Sequence, residues 1–278
     1  MSLGISAFNY TTSPSFRQMN CFPSKDPSPP LPLNKSIKLF YNTGRKMQGG
    51  IMESTVSLKQ RRAVIIGAAA ISNYEKLGSV LQPDRDFYIY CDGGLLHQRK
   101  LEECCGRTLP PNLVVGDFDS YQLPEGFSSS DFPCQVIQLP REKDDTDTWF
   151  AVKEALRRGF TDFLLLGVVG QRLDHSLGNL SILLYLHQQG VKAQLLDDFS
   201  QMEIVGRSPA FVTADFSYFS LLNISGLAQE VTIKNAQYPL DKAEISCTYQ
   251  YAISNQVLPG QVAEITVGQG CLLLVKVW

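Results

Sequence analysis

The chain has 278 residues, 44% of them hydrophobic, enough to bury one large core or two modest ones. Its formal net charge of −2 and pI near 6.0 supply none of the basic surface that dominates nucleic-acid binding, which argues against a nucleic-acid partner. No apolar run approaches the roughly 20 residues of a bilayer-spanning helix, so a soluble protein without a membrane partner is expected.

Residues 1–58 are broken by Ser13-Pro14-Ser15, Pro27-Ser28-Pro29-Pro30 and Gly49-Gly50, and the segment reads as a disordered extension. It is poor in acids, as transit peptides are, but has no amphipathic Arg-rich helix. A plain extension ahead of a start at Met47 or Met52 is the preferred reading. Residues 59–200 alternate apolar runs with helical stretches. Ala63 to Gly67, Phe87 to Tyr90, Leu113 to Val115, Gln135 to Ile137 and Phe163 to Gly167 read as buried strands. A helix is expected from about Thr146 to Arg158, stopped by Gly159, and another from Asp174 to just before Gly190. Continuous apolar strands between helices predict a parallel sheet covered on both faces, an α/β domain. Residues 201–278 lose the helical period. Phe211 to Leu222, Glu230 to Lys234, Ala243 to Cys247, Val262 to Val267 and Cys271 to Val277 read as strands of a β-sandwich.

Seven cysteines, an odd number without metal-ligand spacing, are expected as reduced core thiols in the cytoplasm. The pair Cys104-Cys105 has neither a second pair nor a His cluster to make a metal site.

In an open parallel sheet, ligands bind beyond the carboxyl ends of the strands, and the unusual polar clusters fall there. Asp92-Gly93-Gly94 follows one strand, Gly116-Asp117-Phe118-Asp119-Ser120 the next, and Gly167 to His175 a third. Asp117 and Asp119, one residue apart in a loop, can converge on a cation while Phe118 turns into packing; Mg²⁺ prefers one or two such carboxylates plus phosphates and water. An Asp-rich turn capped by Ser120 is the bland alternative. Lys143-Asp144-Asp145-Thr146-Asp147 opens a helix, so Asp144 or Asp145 can serve as its cap. Capping explains one acid and leaves the others, whose mutual repulsion calls for a cation. Arg172 offers a planar fork suited to phosphate beside a helix N-terminus; a surface pair with Asp174 is the alternative. No P-loop or nucleophile elbow is present.

The order of these motifs, with Gly-x-Arg-x-Asp-His followed by Asn179 and with Ser254-Asn255 near the end of the chain, resembles the thiamin pyrophosphokinase family over residues 62–278. The resemblance implies a Rossmann-like parallel-sheet α/β catalytic domain, then an all-β sandwich that binds thiamin. It implies transfer of the β,γ-diphosphate of ATP to the hydroxyethyl oxygen of thiamin, giving thiamin diphosphate and AMP. It also implies a homodimer whose sites are shared between the α/β domain of one subunit and the sandwich of the other. Carried over by position, Asp117, Asp119 and Asp147 would hold Mg²⁺. Ser120, Lys143, Asp144 and Thr146 would surround the nucleotide, with His175 and Asn179 beside it and Asp92, Gly93 and Gly94 as its floor. Arg172 and Asp174 would line the cleft near phosphate and thiamin; Tyr238, Ser254 and Asn255 would meet thiamin. Gln171, Leu95 and Asp145 depart from the family pattern, which bears on nucleotide fit and metal affinity. A diphosphokinase acting on a hydroxymethylpterin, and a non-catalytic thiamin or nucleotide sensor, are the alternative readings.

Overall fold

The computed structural model describes residues 38–40, 61–119 and 133–278. Six parallel strands make its centre: β2 (Arg62–Ile66), β3 (Asp86–Cys91), β4 (Leu113–Gly116), β5 (Gln135–Gln138), β6 (Asp162–Leu166) and β7 (Lys192–Leu196). Each predicted strand of the α/β region is found within a residue or two. Val64, Ile65 and Ile66 are wholly buried because both faces are covered. Ile65 packs with Ala151 and Val152 of α3 (Asp147–Arg157) and Leu183 of α4 (Leu173–Gln188). Val64 and Ile66 point the other way, to Leu77 of α1 (Tyr74–Ser79) and Leu101 of α2 (Gln98–Cys105). Side chains alternate across a strand, so helices on both faces require the continuous apolar runs seen in the sequence.

The sheet runs β5-β4-β3-β2-β6-β7 through this region, so chain order reverses beside β2. The crevice at such a reversal is where ligands bind in doubly wound sheets. The sheet also extends further than the parallel strands. Lys38–Phe40 (β1) pairs antiparallel with β5. At the other edge β8 (Ser200–Val205), β14 (Leu272–Val277) and β10 (Tyr218–Leu222) continue it antiparallel, giving ten strands.

A second sheet of four strands contains β9 (Ala210–Val212), β11 (Leu227–Lys234), β12 (Leu240–Ser246) and β13 (Ala263–Thr266). Val231, Ile233 and Ile265 from it meet Phe219, Leu221, Leu272 and Leu274 from the large sheet in one core. The predicted sandwich is therefore built partly from the end of the α/β sheet. The strand expected over 211–222 is two strands in different sheets, because the turn through Thr213 to Ser217 redirects the chain. The described cysteines are all free, but only Cys91 is buried and Cys104 and Cys247 are exposed, which corrects their placement in the core. Among the described residues no helix is long and apolar enough to cross a membrane.

Candidate active site

Five loops leaving the carboxyl ends of β2, β3, β4, β5 and β6 enclose a cleft of about 650 Å³. Close backbone approach makes it possible. A Cβ on Gly94 would lie 2.1 Å from Ile66 O, and one on Gly67 2.6 Å from Gly167 O, so the loops interlock only where a side chain is absent. Gly93 and Gly94 are buried and do not line the cleft; the Asp-Gly-Gly glycines let the chain turn behind it.

Asp92, Asp117 and Asp119 each place a carboxylate oxygen within 4.8 Å of the others. Asp92 is buried and has φ +40°, while Phe118, at φ +58°, turns into the α1–α2 side of the core and leaves its two neighbours facing the cleft. Lys143 donates to Asp117 Oδ2 at 2.9 Å and lies 2.7 Å from Asp147 Oδ1. Asp147 Oδ1 is buried, and Lys143 is its ion-pair partner. Burial works against charge on all three groups. For Asp117 the Lys143 bond outweighs burial and holds the carboxyl low; for Asp147 burial, helped by the charges of Asp117 and Asp92, wins and pushes it up. Lys143 is held above its usual range because its two carboxylates outweigh its own burial. The sequence reading placed Asp92 in the floor; its position at the Asp117–Asp119 pair was hidden because the two segments are joined only by strand pairing.

Around this cluster the other predicted residues divide. Thr146, not Asp144 or Asp145, caps α3, its hydroxyl accepting from Trp149 N. Asp145 is engaged by Lys153 at 2.9 Å, and Asp144 lines the cleft exposed. Arg172 lines the cleft and is joined to Asp174 through both carboxylate oxygens, both side chains exposed. His175 also lines it, exposed. Asn179 is buried and donates to Val168 O at 2.6 Å, and Ser176 bonds Gly170 N and O. These two staple the loop that Arg172 ends. Ser120 lies outside the described residues.

The other wall, Ala68 to Ala70, was not read from the sequence. Ala69 N donates to Gly167 O, and Ala69 O takes the Nε2 proton of buried His97, whose Nδ1 then accepts from Tyr74 Oη at 2.8 Å. Arg141 also lines the cleft and was likewise missed.

Among the described residues none beyond Asn179 lines the cleft, so Tyr238, Ser254 and Asn255 stand apart from it in one chain. Asn255 is buried and its side chain is engaged within the sandwich. It accepts from Tyr238 N and Gln256 N and donates to Tyr238 O. Ser254, at φ +58°, has its N–H bonded to Ser220, and Tyr238 is exposed.

A doubly wound sheet with acids, cations and glycine-rich loops gathered where its strand order reverses defines an α/β protein of the class that binds its ligand at the switch point of the sheet. The comparisons narrow the class. A family model described as the thiamin pyrophosphokinase catalytic domain matches residues 80–195, and one described as the thiamin pyrophosphokinase vitamin B1 binding domain matches residues 211–272. Together they span more than half the chain. The thiamine pyrophosphokinase of Bacillus subtilis (strain 168) is 25% identical over 168 residues, 60% of this chain and 78% of that protein. A crystal structure of thiamine pyrophosphokinase from Bacillus subtilis shares the fold with a TM-score of 0.67 at 22% identity, covering 78% of this chain and 99% of that one. The yeast thiamin pyrophosphokinase structure does so at 0.61 and 13% identity, covering 79% and 87%. The chain belongs to the thiamin pyrophosphokinase family, diphosphotransferases that move the β,γ-diphosphate of ATP to thiamin and leave AMP. The B1-binding match sets the pterin reading aside.

Proposed function

We propose that the acidic cleft carries out this transfer, with Asp92, Asp117 and Asp119 holding Mg²⁺ and Asp147 behind them. The observation that carries the assignment is the convergence of three carboxylates from neighbouring strand ends within 4.8 Å. Carboxylates that close repel one another, a bound cation relieves the repulsion, and hard oxygens suit Mg²⁺. A fourth carboxylate, that of Asp147, stands behind them and is balanced within the chain by Lys143, which it shares with Asp117. Bound there, the ion would neutralise charge on the phosphates being transferred.

The protein's own groups have separate tasks in this reading. Arg172 can exchange exposed Asp174 for a phosphate at little cost. The thiamin hydroxyl oxygen attacks the β-phosphorus of ATP, the bond from that phosphorus to the α–β bridging oxygen breaks, and AMP leaves. Asp147, whose carboxyl burial pushes up, is the acid of the cluster best suited to accept the hydroxyl proton. Ala68 to Ala70 and the loop stapled by Asn179 confine the nucleotide.

Thiamin reaches the cleft, in this proposal, against the sandwich of a second subunit. Support comes from Tyr238, Ser254 and Asn255 standing outside the cleft of their own chain. Beside the cleft, Leu173 and Leu177 of α4 are 68% and 56% exposed, an apolar helix face that a partner would cover. The free cysteines suit the cytoplasm.

Incubation of the full chain with Mg²⁺, ATP and thiamin tests the reading, with AMP and thiamin diphosphate as the expected products. AMP formed with a hydroxymethylpterin and not with thiamin would overturn the substrate. Loss of the Mg²⁺ requirement in a chain that still turns over would overturn the metal assignment.

A further inference from the structure

Six carboxylates line the cleft, those of Asp92, Asp117, Asp119, Asp144, Asp145 and Asp147, against three permanent cations, Arg141, Lys143 and Arg172. An anionic nucleotide entering such a cleft depends on whichever cations are not already committed. Lys143 is committed: its side chain is only 17% exposed and sits between Asp117 and Asp147. Arg172 is bonded twice to exposed Asp174 and has first to leave that pair, at little cost, before it can take a phosphate. Among the described residues Arg141 has no hydrogen-bond or ion-pair partner, and it is exposed.

Its loop is nevertheless fixed at both sides. Two residues before it, Leu139 is buried and its N–H donates to Gly116 O at 2.9 Å. Two residues after it, Lys143 is anchored in the acid cluster. The backbone of Arg141 is thereby held at the end of β5, which adjoins β4, the strand that delivers Asp117 and Asp119. Arg172 leaves β6, on the other side of β2 and β3. Two arginines thus flank the acid cluster from opposite sides, one that must first leave Asp174 and one with no partner to leave among the described residues.

We infer that Arg141 grips the terminal phosphates of the incoming nucleoside triphosphate, the group that is transferred, and takes no part in holding AMP or thiamin. This rests on the nucleotide and metal assignment proposed above. The planar guanidinium can bond two phosphate oxygens at once, whereas a lysine offers a point charge. Its place at the end of β5, beside the strand end that carries Asp117 and Asp119, would set it near the proposed cation and the phosphates that are transferred.

The test is equilibrium binding of ATP and of AMP to the full chain with Mg²⁺ and without thiamin, for wild type, Arg141→Gln, Arg141→Lys and the control Arg99→Gln. Arg99 lies on α2 and pairs with Glu103 outside the cleft. Loss of one charge-assisted phosphate contact weakens ATP binding about tenfold. The inference expects that loss in Arg141→Gln, with AMP affinity within about twofold of wild type and, in a separate turnover assay at saturating ATP, a KM for thiamin within about twofold as well, partial recovery in Arg141→Lys and no change in Arg99→Gln. ATP affinity of Arg141→Gln within about twofold of wild type, or an equal loss for AMP, overturns it while leaving the metal assignment standing. A wild-type chain that binds no ATP overturns both.

Discussion

Gly116 and Asp92 are fitted to each other across two strands: a Cβ on Gly116 would lie 2.8 Å from Asp92 Cβ and 3.1 Å from its Cα. Both are buried, so neither can yield into solvent. Gly116→Ala should therefore push Asp92 away from Asp117 and Asp119, at an overpacking cost of about 1–3 kcal/mol. The expected result is a raised Mg²⁺ requirement in a titration of turnover, larger than the loss of stability explains. An unchanged requirement in a folded variant would remove Asp92 from the metal site.

Lys143 is the internal counter-ion of the cluster. With side-chain exposures of 17%, 10% and 21% for Lys143, Asp117 and Asp147, its removal leaves two half-buried carboxylates facing each other. Lys143→Met should cost about 2 kcal/mol in buffer free of divalent cations. Added Mg²⁺ binds the folded state and should raise the melting temperature more in the variant than in wild type. Equal shifts in both would show that the cation and Lys143 do not share the cluster.

His97 makes stability depend on pH. Burial holds its imidazole below the ordinary value of 6.5, reinforced by Lys100 and opposed by the bond to Ala69 O and by Asp198. Tyr74 faces it with a hydroxyl. Because the folded value lies below the unfolded one, the unfolded chain binds the extra proton first as pH falls. Stability contributed by neutral His97 is complete above about pH 6.5 and declines below it, until the folded group also titrates. His187, also lowered by burial, slopes the same way, so the difference between wild type and His97→Gln isolates His97. Denaturant unfolding at several pH values should show a smaller decline in the variant, and parallel curves would refute the assignment.

The parallel strands were legible because burial on both faces forces unbroken apolar runs such as Val64 to Ile66. The acid motifs were legible because loops at strand ends have little other reason to repeat aspartate. What stayed hidden depends on neighbours distant in sequence. Asp92 joins Asp117 only through the β3–β4 pairing, and His97 reaches Ala69 across 28 residues. The family resemblance marks Ser254-Asn255 as thiamin contacts. In the fold Asn255 spends its side chain bracing Tyr238, a use that any buried amide shows in sequence the same way. Helix α4 was legible in extent, but its exposed Leu173 and Leu177 read equally well as core until the packing is known.

The shared-site proposal predicts that two inactive chains can repair each other. Asp119 is exposed, so Asp119→Asn should abolish turnover without lowering the melting temperature in buffer free of divalent cations. A chain carrying Tyr238→Ala and Ser254→Ala, both exposed on the sandwich, should lose thiamin binding while its acid cluster stays intact. If each site takes its acids from one subunit and its thiamin contacts from the other, a mixed dimer contains one site with both defects and one with neither. Denaturing the two variants together and refolding them at equal concentration would then restore about a quarter of wild-type activity, since half of the randomly paired dimers are mixed and each has one intact site. Sites built within a single chain give no recovery, because every acid cluster would then be coupled to its own sandwich and every chain would carry one defect.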